Sequence, residues 1–145
     1  MIILSLLIAI NLLILLKTSD PGEFKIVKEK YKILREYLIN TNEYPEFAVL
    51  TRCMVLNGYY RTTSISDVGY NTNKGQEIGI CLSGTPNEIF HVLLHELAHC
   101  TVTEYDHSEQ FWNNYMKLRD LAISIGIYEK IPEKTAFCGK HVQDK

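Results

Sequence analysis

The chain has 145 residues, enough for one compact domain with a real core. Its composition is that of an ordinary globular protein, 46% hydrophobic and 22% charged, which excludes disordered, collagen-like and disulfide-scaffold classes. The net charge of −2 gives nucleic-acid binding no support.

The first sixteen residues, "MIILSLLIAINLLILL", are apolar except for Ser5 and Asn11. As a helix they span ~24 Å, somewhat less than the roughly 30 Å hydrocarbon core. Local bilayer thinning accommodates such a mismatch. A cleaved signal peptide is the competing reading, but no basic residue precedes the segment and no A-x-A-like site follows it. Residues 1–17 are therefore expected to be a transmembrane anchor, and residues 20–145 the folded domain. Lys17, Lys25, Lys28, Lys30, Lys32 and Arg35 all follow the segment. The positive-inside rule then makes this a single-pass protein with its C-terminal domain on the cytoplasmic side. Cys53, Cys81, Cys100 and Cys138 form no CxxC pair and are read as free thiols.

The soluble domain opens on "SDPGEFKIVKEKYKILREYLINTN". Asp20 is the expected N-cap, Pro21 fits the first helical position, and Glu23 is the expected capping-box acid. Phe24, Val27, Tyr31, Leu34 and Leu38 form one buried stripe at helical spacing. From Pro45 to Ser83 the pattern changes to short β-type runs: "FAVLT", "CMVLNGYY", "TTSIS" and "EIGICLSG". They predict a small antiparallel sheet of three or four strands, with "GYNTNKGQ" as a turn before the last. "TPNE", Thr85 to Glu88, is a capping box that starts a mostly buried helix. A further helix begins near Asp106, carries Phe111, Trp112, Tyr115, Leu118, Leu121, Ala122 and Ile125 inward, and stops at Gly126. The tail from Tyr128 to Lys145 predicts no regular structure.

The chemistry lies in "HELAH". His95 and His99 leave one helical face one turn apart, the separation at which two imidazoles bind one zinc ion. Glu96 beside them is placed to act as general base on a zinc-bound water, the logic of a metallopeptidase. Catalytic zinc takes three protein ligands, so a third must come from elsewhere. His107 is best placed, where the chain turns into the next helix; Asp106, Glu104 and His91 are the alternatives. His91 lies in line with His95 and His99 on one helix, so it reads as a supporting or packing residue. Three histidines and a carboxylate on an apolar helix are costly to bury unpaired, which a metal explains and packing does not. "EIGICLSG" offers an edge against which an extended peptide substrate can pair. Tyr70, Tyr105 and Tyr128 are candidates for stabilising the oxyanion.

"GYNTNKGQEIGICLSG", "HVLLHELAHC" and "DHSEQFWNNYMKL" in this order resemble the WLM family of zinc metallopeptidases, relatives of the SprT-like proteases. The resemblance covers about Val68 to Ile127. With its apolar N-terminus, "IGIYEKIP" and "FCGKH", the chain looks most like short membrane-anchored members of large DNA viruses and algae, which implies a host or virion membrane. The resemblance implies a zincin-like α+β fold, a small sheet packed with the HExxH helix and flanking helices. It implies His95, His99 and His107 as ligands of Zn2+, Glu96 as catalytic acid/base, and Phe111 and Trp112 as packing residues behind His107. The sequence departs from the family in its eight-residue step from His99 to His107, and in Asp106 where glycine is common. Known members digest proteins crosslinked to DNA, but this chain has neither a basic tail nor a zinc finger. The alternative to an enzyme is a non-catalytic zinc-binding protein of a membrane or virion.

Overall fold

The computed structural model describes residues 1–17, 19–63 and 67–144. Four α-helices are present among them: α1 (Ile2–Lys17), α2 (Gly22–Thr41), α3 (Pro86–His99) and α4 (Glu109–Ser124). Five strands accompany them: β1 (Val55–Tyr59), β2 (Gly69–Thr72), β3 (Glu77–Cys81), β4 (Thr135–Phe137) and β5 (Lys140–Val142). The architecture is α+β, with α3 at its centre. It packs against α2, α4, β2 and β3 and touches β5.

This placement follows from the residues of α3. Thr85 accepts a hydrogen bond from the Glu88 amide and the Glu88 carboxylate answers to the Thr85 amide, so the expected capping box is formed. Ile89, Phe90, Leu93, Leu94, Leu97 and Ala98 are wholly buried, giving the helix apolar contacts on several sides. The predicted stripe of α2, Phe24, Val27, Tyr31, Leu34 and Leu38, is buried as a set.

Several local expectations are corrected. The sheet is mixed, in the order β1-β3-β2: β2 runs antiparallel to β3, but β1 runs parallel to it. β3 is therefore the central strand and not an edge, and β2 and β1 are the edges. Gly69–Thr72, expected within a turn, is strand β2; only the following Asn73, Lys74 and Gly75 take positive φ and reverse the chain. "FAVLT" lies in a 3-10 helix, Pro45–Thr51, which buries Phe47 and Leu50. A proline start and two inward side chains three apart suit that helix better than a ladder. Of "TTSIS", positions 64–66 lie outside the described residues, and Thr62 and Thr63 are in no strand.

Asp20 does not cap α2. The N-cap is Pro21, without a side-chain cap, and Asp20 pairs instead with Lys28 at 2.7 Å. α4 begins at Glu109 rather than near Asp106, and Ser108 caps it, accepting from the Phe111 amide at 3.1 Å. The tail is structured: β4 and β5 form an antiparallel hairpin. Cys138, in the tight turn of that hairpin, is joined by a disulfide to Cys81 at the end of β3. The reading of four free thiols is therefore wrong for Cys81 and Cys138, while Cys53 (exposed) and Cys100 (buried) are free. The partners are 57 residues apart in sequence, so no local spacing signals the bond.

α1 buries none of its residues. No single helix among the described residues is long and apolar enough to cross a membrane.

Candidate metal centre

α3 carries His95 and His99 to its outer face one turn apart, and the chain from Cys100 to Ser108 returns His107 to meet them. The three Nε2 atoms converge. His107 Nε2 lies 3.0 Å from His95 Nε2 and 3.1 Å from His99 Nε2. All three ligand atoms fall within 4.8 Å of one another. Tetrahedral zinc with Zn–N bonds of ~2.0–2.1 Å separates its nitrogens by about 3.3 Å. The donor set fits one such ion closely. Among the described residues, no carboxylate or thiol joins this cluster.

The ring electrostatics suit a cation. Burial, with the neighbouring His99, His107 and His91, pushes His95 down to about 3. Burial, His107 and Lys74 push His99 down to about 4. Both rings are thus neutral at pH 7 and offer lone pairs, which is the state a metal needs.

The other expected residues fall into place by their contacts. Glu96 is buried, and burial together with the charge of Asp67 pushes its carboxyl up to about 7. Glu104 is occupied in its own loop, accepting from the Ser108 and Thr103 hydroxyls. Asp106 is exposed and outside the cluster. Phe111 is fully buried with its ring 5.0, 4.4 and 4.7 Å from those of His95, His99 and His107. Trp112 stands 5.5 Å from His107, so both aromatics pack behind the histidines as expected.

An open cleft of about 460 Å³ lies over the three histidines. One wall is edge strand β2 with Gly69 and Asn71; another is β5 with His141 and Val142. All five histidines of the chain line it. Tyr105, of the three candidate tyrosines, also lines it and is exposed. Tyr70 donates instead to Glu77 at 2.6 Å, and Tyr128 is buried against Asp144.

Some contributors escaped the sequence reading. Asn71 donates to the Glu96 carbonyl at 2.8 Å and accepts from the Gly75 amide at 2.7 Å, tying β2 and its turn to α3. Lys74 donates to the His99 carbonyl at 3.1 Å and to that of Glu104, bracing the segment that delivers His107. Both lie in "GYNTNKGQ", whose polarity reads as a turn because a two-sided strand this short leaves no apolar alternation. Asp144, near the C-terminus, accepts from Tyr115 at 2.9 Å and the Ile131 amide at 2.8 Å, and also from Tyr128. Nothing local marks it.

The fold and the site together define an α+β domain organised round a histidine-bearing helix, with three converging imidazole nitrogens that could hold a cation. The WLM domain model matches residues 56–144, and the chain belongs to the WLM domain family. It is 28% identical over 130 residues to "Uncharacterized protein R325" of Acanthamoeba polyphaga mimivirus, a match covering 79% of this chain and 66% of that protein. The chain thus spans just under two thirds of that relative's length. The crystal structure of Wss1 from Saccharomyces cerevisiae has a similar fold, with a TM-score of 0.52 and 20% identity, covering 74% of this chain and 84% of that one.

Proposed function

We propose that the chain is a zinc-dependent metallopeptidase of zincin type that hydrolyses peptide bonds in a protein substrate, with His95, His99 and His107 holding the metal and Glu96 as the catalytic acid/base. The observation that carries this reading is the convergence of three Nε2 atoms beside a buried carboxylate in an open cleft. A bound zinc supplies Lewis acidity and makes water a nucleophile at neutral pH.

The chain's own residues account for the rest. Glu96, on the rigid α3, takes a proton from the attacking water and returns it to the leaving amine. Burial raises its proton affinity above that of an ordinary carboxyl, which suits a group that must both accept and give a proton. β2, which among the described residues is an edge of the sheet, borders the cleft and supplies the backbone groups against which an extended peptide pairs. That role moves from β3, whose two edges are both taken.

α1 is read as a membrane anchor. It is apolar but for Ser5, Asn11 and the terminal Lys17, and it buries none of its side chains; Ser5 donates to the Met1 carbonyl at 3.1 Å and Asn11 to that of Leu7 at 2.8 Å. Such local pairing is what lipid requires of polar groups. The lysines after α1 favour a cytoplasmic domain, whereas the Cys81–Cys138 bond favours an oxidising compartment. Labelling exposed Cys53 with a membrane-impermeant maleimide in sealed vesicles decides between them.

The defining experiment is Glu96→Gln in the zinc-loaded protein. Zinc content should persist while cleavage of a denatured protein substrate is lost. Cleavage that survives the substitution, with zinc retained, refutes the mechanism; a wild type that binds zinc through a fourth protein ligand and cleaves nothing is the structural zinc protein instead.

A further inference from the structure

His91 stands one turn before His95 on α3 and takes no part in the three-nitrogen cluster. The residue is 9% exposed, and Nδ1 is committed. That nitrogen lies 2.9 Å from the Tyr128 hydroxyl, 3.3 Å from that of Tyr115 and 3.4 Å from Asp144 Oδ1.

The hydrogen-bond directions are fixed by Asp144. Burial opposes its charge, but hydrogen bonds from His91, Tyr128, the Ile131 amide and Tyr115 outweigh that and hold the carboxyl well below its usual range. As an anion it only accepts, so Tyr128 donates to Oδ2 and Tyr115 to Oδ1. Tyr128 has then spent its proton, and its oxygen can only accept from His91. Nδ1 therefore carries the hydrogen, and with a single proton on the ring Nε2 is left as a bare acceptor.

Nε2 has no partner among the described residues, and it is not sealed from solvent, since no buried side-chain nitrogen or oxygen lacks a hydrogen bond. His91 lines the cleft, as do Val92 and, from the edge strand, Gly69 and Asn71. We propose that His91 is a substrate-binding residue: Nε2, fixed as an acceptor by the Tyr128–Asp144 pair, receives a hydrogen bond from a backbone N–H of the peptide lying in the cleft. The C-terminal residues thereby serve the site, because Asp144 sets the ring's tautomer. The inference rests on the metallopeptidase reading for its ligand, an extended peptide.

Ring-nitrogen NMR on the full zinc-loaded chain carrying Glu96→Gln tests it, with N-acetyl-(Ala-Leu)3-amide titrated to its solubility limit. His91 should show a bare Nε2 and a protonated Nδ1, and the peptide should shift Nε2 while leaving Nδ1 in place. A protonated Nε2 in the free protein at pH 7.5, or an Nε2 signal unmoved by the peptide, overturns the proposal. In the active protein, His91→Gln should raise KM about three- to tenfold, as one hydrogen bond lost to water would, with kcat within about twofold. Unchanged KM, or a loss confined to kcat, overturns it. Tyr128→Phe, which spares the ring itself, should raise KM in the same direction if His91→Gln fails to fold. Hydrolysis of the peptide by wild type without any Nε2 shift sinks this inference alone; an Nε2 shift in a protein that cleaves nothing sinks the peptidase reading alone.

Discussion

Gly69 of β2 faces Glu96 of α3 so closely that a methyl group on its α-carbon would stand 3.0 Å from the Glu96 Oε1 and 2.6 Å from Val92 Cγ1. The edge strand and α3 meet here without a side chain between them. Gly69→Ala should therefore displace the carboxylate or push β2 away, at a cost of about 1–3 kcal/mol from overpacking. Cleavage should fall while zinc content is unchanged. Parallel melting curves and metal analysis check this; full activity in Gly69→Ala would mean that β2 is free to move.

The metal-free protein should lose stability in acid. His95 and His99 have folded values of about 3 and about 4, below the ordinary 6.5. Their contribution is complete above pH 6.5 and is lost as the pH falls through those folded values, because the unfolded chain takes up protons first. Glu96 acts oppositely: raised to about 7 from 4.5, it favours the fold below 4.5 and loses that contribution as pH rises to about 7. Two histidines outweigh one glutamate between pH 6.5 and 4.5, so denaturant midpoints should drop across that window. In Glu96→Gln the drop should be steeper. Midpoints independent of pH would contradict both assignments.

Cys81 and Cys138 close a long loop. The chain-entropy relation gives about 4 kcal/mol for a separation of this size, as an upper figure. Reduction, or Cys81→Ser with Cys138→Ser, should lower the melting temperature and loosen the β4–β5 hairpin. Amide exchange at Ile131, whose N–H donates to Asp144, reports that loosening locally. A melting temperature insensitive to reductant would show that the bond adds nothing.

Lys74→Met should weaken zinc without touching a ligand. The lysine holds the His99 and Glu104 carbonyls across the segment that presents His107. Its loss should lower zinc affinity about 10- to 100-fold, the range seen when groups that orient metal ligands are removed. Competition with a chromophoric chelator measures it. A change in cleavage rate with unaltered zinc affinity would place Lys74 on the substrate instead.

Phe111→Ala should be the most damaging of these changes, because the ring is fully buried behind all three histidines. A loss of about 3–5 kcal/mol follows from the cavity alone. Zinc should restore part of it by mass action if the metal holds the three rings together. Equal melting temperatures with and without zinc would argue against that.

How much of this was legible in the sequence differs by element. α3 was readable to its cap, because "TPNE" and the apolar spacing are local signals for one element. The two ring positions on its face follow from helical geometry alone. The stripe of α2 was readable for the same reason. The sheet was not: pairing is non-local, and "EIGIC" reads alike whether it is an edge or has a neighbour on each side. β1 pairs parallel with β3 through a connection that carries no helix pattern, so nothing in the sequence distinguished that order from a meander.

The sequence by itself determined the helix, the facing pair His95 and His99, the acid between them and the apolar first segment, since each depends on residues within a few turns of one another. Only the tertiary structure decided that His107 Nε2 comes within 3.1 Å of both partners, that β2 and not β3 borders the cleft, and that Cys138 reaches Cys81. It also decided that Asp144, forty-eight positions after Glu96, comes within 3.4 Å of His91 Nδ1. Contacts between distant segments are set by how the buried faces of α2, α3 and α4 pack together, and no local pattern encodes that sum.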